Sequence, residues 1–281
     1  MLNKPILLVA ILSISSWLFA QGPAKSPDAM VTGSQSTENQ TANDASSTTA
    51  CSFAYSSGSA PNTTAYCLSV NGNIVQFSRP IGSEYIENAE AIDEGYGICD
   101  VTGGTAYYDY ASTDSANWGP TTVTFPNASS AKFVRSTNDG QWTLTQTIRK
   151  INANTSGPGS AKVTMAVKNR TGMTRSIYVI RHARVVVGGT PGATNVDQSQ
   201  DAAFGNLNFF YGLSLTTNTF TGTVNHGALT WGTPLGPNPC DFNVNRILRP
   251  AVSIDGSIGL LHYGPVEAGQ TMTVSMTYKP Y

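Results

Sequence analysis

Residues 65–78, AYCLSVNGNIVQFS, decide the fold class. Two runs rich in β-branched and aromatic residues flank Asn71-Gly72. Asn-Gly between such runs is the strongest short-range signal for a β-hairpin. The same character spreads outward from this stretch. In 142–148, Trp142, Leu144 and Ile148 alternate with Thr143, Thr145 and Thr147. Val163, Met165 and Val167 alternate in the same way, as do Met272, Val274, Met276 and Tyr278. A period of two turns one face of each strand to a core and the other to water. Residues 174–187, TRSIYVIRHARVVV, form the longest expected strand. Many short strands between Gly, Pro and Asn turns, with no internal repeat, predict an all-β chain. The expected architecture is an antiparallel β-sandwich, with a supersandwich as its larger variant, built as a single domain over 51–281. Only 83–94, SEYIENAEAIDE, carries a helical pattern, with Ser83 as its cap.

Ahead of this domain stand Lys4, an apolar run from Ile6 to Ile14, and Trp17-Leu18-Phe19-Ala20 before Gln21. This is the three-part layout of a secretory signal peptide, so 1–20 is expected to be removed. The run is too short for a comfortable membrane span, and no second one follows. Residues 21–50 have no aromatic and hardly an aliphatic residue, which predicts a disordered Ser/Thr/Asn-rich linker. The expected location is extracellular, with the periplasm as the alternative, and the mature chain has no membrane span. No cysteine follows Ala20 directly, which leaves a lipid anchor without support. Lys279 and Pro280 argue against a lipid-facing barrel strand at 272–281.

Charged residues make up 12% of the chain, about half the usual share of roughly 25%. The formal net charge is −1, and losing Lys4 with the signal makes it −2. That near-neutral balance excludes a general field for nucleic acid. The surface must therefore be built largely from Ser, Thr, Asn, Gln and Gly. Cys51, Cys67, Cys99 and Cys240 are even in number and lie after the signal, which predicts two disulfides. Cys67–Cys99 with Cys51–Cys240 is the preferred pairing. Cys51–Cys67 with Cys99–Cys240 is the alternative. No Cys-x-x-Cys knuckle is present, so no metal site is expected of them.

Charge is unevenly placed along the chain. From Pro80 to Ala131 there are eight acidic residues and no basic one; from Gly140 to Val196 there are eight basic residues and no acidic one. The simpler reading sets the two blocks side by side on one surface, where exposed pairs contribute roughly 0–1 kcal/mol each. The sharper one makes them opposed patches that steer self-association or a charged ligand.

The stretch 105–118, TAYYDYASTDSANW, offers a candidate glycan platform. Tyr107, Tyr108, Tyr110 and Trp118 have flat faces for sugar rings, while Asp109 and Asp114 have oxygens for sugar hydroxyls or for Ca²⁺. The simpler reading packs at least one of Tyr107 and Tyr108 in the core, since strand neighbours point to opposite faces. Arg181, His182 and Arg184 sit inside the longest strand and are candidates to line a polar ligand or catalytic cleft. No Gly-x-Ser-x-Gly elbow, His-Glu-x-x-His or phosphate-cradling loop is present.

Four blocks carry a resemblance: Asn71-Gly72-Asn73-Ile74-Val75, Glu94-Gly95-Tyr96-Gly97-Ile98-Cys99, Tyr107-Tyr108-Asp109-Tyr110 and Gln141-Trp142-Thr143-Leu144. Together they resemble exported bacterial β-sandwich proteins of unassigned activity, over roughly Cys67 to Val187. The resemblance implies secretion and a β fold, and it transfers no catalytic residue. A remoter likeness, by fold class alone, is to the galactose-mutarotase-like supersandwich, where His and Glu act on a sugar ring. The leading expectation is an exported binding or structural module with a polysaccharide or cell-surface partner. The alternative is a carbohydrate-active enzyme with its cleft near Arg181, His182 and Arg184.

Overall fold

A computed structural model of the chain describes residues 40–41, 50–87, 94–155, 157–187, 195–207, 211–219, 224–231, 238–241, 252–253 and 256–281. The signal reading of 1–20 lies outside them. So does the linker reading of 21–50, apart from residues 40–41 and 50. All described residues fall in one compact unit.

The strands, in chain order, are β1 (Gln40–Thr41), β2 (Phe53–Ser57), β3 (Thr64–Leu68), β4 (Ile74–Ser78), β5 (Glu84–Glu87), β6 (Glu94–Asp100) and β7 (Thr105–Asp109). They continue with β8 (Thr122–Asn127), β9 (Ser130–Ser136), β10 (Trp142–Ile151), β11 (Ser160–Asn169), β12 (Arg175–Val185) and β13 (Asn195–Gln198). The last are β14 (Ala202–Leu207), β15 (Tyr211–Thr217), β16 (Asn225–Trp231), β17 (Val252–Ser253), β18 (Gly256–Val266) and β19 (Thr271–Pro280). The chain is all-β, and its strands pair antiparallel in three sheets packed as in a β-sandwich. The large sheet runs β1-β8-β9-β10-β11-β19-β15-β14-β13-β17, the middle sheet β16-β18-β12-β6-β7, and the small sheet β2-β3-β4-β5. Among the described residues no helix is long and apolar enough to cross a membrane.

The alternation seen in the sequence becomes the core. Trp142, Leu144 and Ile148 of β10, Val163, Met165 and Val167 of β11, and Val274, Met276 and Tyr278 of β19 all point inward and are buried. They meet Ile177, Val179 and Ala183 of β12 and Phe77 and Ile86 of the small sheet in one apolar cluster. Each large apolar side chain so buried contributes about 1.5–3 kcal/mol. In β6 and over Val179–Val185 of β12, successive residues are buried on both faces.

Three sequence expectations change. Glu84–Glu87 is a strand, not the start of a helix, because Ile86 pairs with Phe77 of β4 and both Tyr85 and Ile86 are buried. Residues 88–93 lie outside the described residues, and Glu94 already belongs to β6. The hairpin of 65–78 forms, but not around a two-residue Asn71-Gly72 loop. Leu68 pairs with Ile74, Gly72 N–H donates to Ser69 O, and Ser69 N–H donates to Asn73 O. The disulfides are Cys51–Cys67 and Cys99–Cys240. The preferred Cys67–Cys99 pairing fails because Cys67 lies on β3 of the small sheet and Cys99 on β6 of the middle sheet. Instead Cys51 stands just before β2, whose Ala54 pairs with Cys67. Cys240 reaches Cys99 from a 3-10 turn, Pro239–Asp241.

Candidate functional site

The hairpin tip Ser69–Asn73 is buried except for the half-buried Val70, and the charged interior is built around it. Gly72 has φ of +83°, and a Cβ there would stand 2.9 Å from the Phe133 ring, so only glycine fits. Arg181 donates to Gly72 O at 3.0 Å, and Gln146 donates to Asn71 O at 3.3 Å. Arg181 and Glu94, both fully buried, pair through Nε–Oε1 at 2.5 Å and Nη2–Oε2 at 2.9 Å. Ile74 N–H and Tyr278 Oη add two further donors to the Glu94 carboxylate, at 2.5 and 2.8 Å. Burial pushes the Glu94 carboxyl above its ordinary range, and Arg181 pulls against that rise. Against the cost of burial, Glu94 holds Arg181 above its own ordinary value.

A second ion pair stands on the other side of the tip. Asp109 accepts from Arg135 at 2.6 Å, from Asn71 Nδ2 at 2.9 Å and from Asn73 Nδ2 at 2.6 Å. Thr121 donates to Asn71 Oδ1 at 2.6 Å, and Arg135 also donates to Tyr96 Oη at 2.9 Å. The tip is thus tied to β7 through Asp109, to β10 through Gln146 and to β12 through Arg181. This center holds the small, middle and large sheets in one arrangement, and it offers no surface to a ligand.

That placement revises the sequence candidates. Tyr107, Tyr110 and Trp118 are buried in the interior, and Trp118 packs edge-on against Tyr96 and Tyr107. Asp109 is fully buried in its ion pair. Only Tyr108 and Asp114 retain partial exposure, so 105–118 does not present the expected aromatic platform. The Ca²⁺ reading of Asp109 and Asp114 meets the same obstacle. Asp109 already accepts from three side chains, and Asp114 faces Arg135 at 3.6 Å. Among the described residues no group of three or more His, Cys, Asp or Glu could hold a metal. Arg181 and His182 are 0% exposed and Arg184 is 7% exposed, so the cleft expected there is filled. His182 lies edge-on to Tyr110 at 5.8 Å.

Part of the acidic block is not at the surface. Glu94, Asp100 and Asp109 turn inward and pair with Arg181, Arg175 and Arg135. Those three are not available to a partner at the surface. The acids at 87, 90 and 93 lie where no side chain is described.

An open cavity appears elsewhere, assembled from segments distant in sequence. It has a volume of about 310 Å³, and its lining includes Arg79, Tyr85, Val187, Tyr211 and Tyr281. Arg79 is positioned by a turn in which its N–H donates to Ser83 O and Ser83 N–H donates to Pro80 O. Tyr85 Oη donates to Arg79 O at 3.0 Å, and burial raises the Tyr85 phenol above its ordinary pKa. Gly212 and Tyr281 exchange two backbone hydrogen bonds, at 3.1 and 3.0 Å. A Cβ at Gly212 would stand 2.7 Å from the Tyr281 hydroxyl, so glycine there lets the phenol lie across the backbone. Tyr211 beside it is 65% exposed. The Arg79 Nε is buried and has no hydrogen-bond partner among the described residues. A second cavity of about 500 Å³, lined by Gly58, Ser59, Asn154 and Gly157 among others, shares Asn62 and Arg79 with the first.

Sequence reasoning missed Arg79, Tyr85, Tyr211 and Tyr281 as a site. They come from four segments with no common spacing, and nothing local marks them as convergent. No known protein-family model matches the chain, and no curated protein matches it.

Proposed function

We propose that this protein is an exported binding module that takes a saccharide into the cavity of Tyr85, Tyr211, Tyr281 and Arg79. The observation that carries the reading is the buried, unpartnered Nε of Arg79 in a cavity walled by three tyrosines. An unpaired buried donor costs about 1–3 kcal/mol, and a ligand oxygen would relieve that cost. Tyrosine faces stack on the C–H faces of sugars, and a guanidinium supplies directed donors to hydroxyl or carboxylate oxygens. The volume lies at the small end of the ligand-pocket range of about 300–1,000 Å³, which suits one or two rings. The adjoining cavity, lined by Ser59, Asn62, Asn154 and Thr155, would add polar partners for a neighboring ring. Export is supported by the signal-like residues 1–20 and by two disulfides, which persist in oxidizing compartments.

Titration calorimetry of the oxidized protein against a panel of neutral and acidic oligosaccharides tests this reading. Binding by at least one member, weakened tenfold or more in Tyr211→Ala, is expected. Tyr211 is largely exposed, so this change should leave thermal stability nearly intact. Binding that is unchanged in Tyr211→Ala and in Arg79→Gln would remove the cavity from consideration.

A further inference from the structure

The outward face of the large sheet carries a feature the cavity does not use. Strands β8, β9, β10, β11 and β19 contain no Asp or Glu. Their outward positions hold mainly Thr, Ser, Lys and Arg, with Val134, Ile151 and Ala166 as apolar exceptions and no aromatic residue among them. Four cations fall on one diagonal. Lys132 of β9 pairs with Thr147 of β10, and Arg149, two residues on, pairs with Lys162 of β11. Lys162 pairs with Thr277 of β19, and Lys279 lies two residues beyond it.

With strands about 4.8 Å apart and alternate residues about 6.8 Å apart, neighboring cations are spaced by roughly 5–8 Å. The whole stripe is about 20 Å long by the same dimensions. Among the described residues none of the four makes an ion pair, and none has a side-chain hydrogen bond. Arg149 and Lys162 stand directly opposite each other, a like-charge pairing that destabilizes the sheet when nothing lies between the charges. Hydroxyls flank the stripe at Thr147, at Thr164, which shares a hydrogen bond with Ser275, and at Thr277, which donates to Asn218. The Lys279 ammonium would stand 3.4 Å from a Cβ at Gly157, which lines the second cavity, so the stripe runs toward the Arg79 site.

We propose that this stripe is the docking track for an extended acidic polysaccharide, one bearing carboxylates or sulfates at regular intervals. A row of unpaired cations calls for a ligand with repeated negative charge, and the flanking threonine oxygens retain lone pairs that accept from sugar hydroxyls. Single-stranded nucleic acid fits poorly, since its binding draws on aromatic stacking platforms and this face has none. The inference stands on the sheet face alone and does not require the Tyr211 cavity.

The test is affinity electrophoresis and calorimetry with polygalacturonate, dextran sulfate, uncharged dextran and single-stranded DNA, at two salt concentrations. The wild-type protein is compared with Lys132→Gln/Arg149→Gln/Lys162→Gln/Lys279→Gln and with Tyr211→Ala. The expected result is retention by one or both anionic polymers, weaker at high salt, and little retention by dextran. The quadruple variant should bind at least tenfold more weakly while keeping its circular dichroism spectrum and melting temperature. Tyr211→Ala should still be retained by the polymer, which separates the stripe from the cavity. Equal retention of wild type and quadruple variant, equal retention by dextran, or tighter binding of single-stranded DNA than of either polymer would each overturn the proposal. If the quadruple variant unfolds, the pair Arg149→Gln/Lys279→Gln, both exposed, takes its place with a threefold loss as the threshold.

Discussion

His262 shows how a single side chain couples this fold to pH. Its ring is fully buried, with Nε2 2.9 Å from Thr217 Oγ1 and with His226 5.9 Å away between ring centroids. Burial, aided by His226, pushes its pKa down to about 3 from 6.5. Between those values the unfolded chain holds a proton that the folded chain does not. The stabilization is therefore complete above about pH 6.5 and is lost progressively as pH falls toward 3. Urea midpoints measured from pH 7.5 to 5 are expected to drop for the wild type and to drop less for His262→Gln, which keeps a partner for Thr217. An unchanged slope in the variant would count against His262 as the source. At this scale the sequence was a partial guide. Period-two alternation correctly turned Trp142, Leu144 and Ile148 inward. The same rule could not say that Asp109 points inward beside Tyr107, because its partner Arg135 lies on another sheet, 26 residues away. The burial of Asn71 was not legible for the same reason, since it depends on partners at Asp109 and Thr121.

At the scale of elements, the Glu94–Arg181 pair joins β6 to β12, and through Ile74 and Tyr278 it also reaches β4 and β19. Glu94→Gln would leave the Arg181 charge buried without its counterion, a loss of about 3–5 kcal/mol. Combining it with Arg181→Met should lose less than the two single changes added together, because the stranded charge is then gone. Denaturant unfolding of the three variants measures this directly, and strict additivity would mean that the two residues do not act as a unit. The hairpin of β3 and β4 and the long strand β12 were legible in the sequence, the first from turn chemistry and the second from a sustained β-branched run. The strand at Glu84–Glu87 was not, because Glu84, Glu87 and Glu90 sit at helical spacing and mask the pairing of Ile86 with Phe77.

For the whole molecule, the two disulfides constrain very different lengths of chain. Cys51–Cys67 closes a separation of 16 residues and Cys99–Cys240 one of 141. Loop-closure entropy gives about 3 kcal/mol for the first and about 5 kcal/mol for the second. Replacing Cys99 and Cys240 with Ser is thus expected to lower the melting temperature more than replacing Cys51 and Cys67. The reverse order would point to strain in the long bridge or to residual structure in the unfolded chain. The large sheet also separates two kinds of charge, with ion pairs enclosed on its inner side and the Lys132–Lys279 stripe on its outer side. The buried tip at Ser69–Asn73 has a consequence for the order of folding. A hairpin joined by so short a loop closes within about 1–10 μs. Yet its Asn71, Gly72 and Asn73 find their partners only when Asp109, Gln146 and Arg181 arrive, and those are 36 to 109 residues away. The segment that forms first therefore waits longest to be completed. A rate-limiting step that responds to Gln146→Leu but not to changes in the β3–β4 strands would be the kinetic signature of that wait.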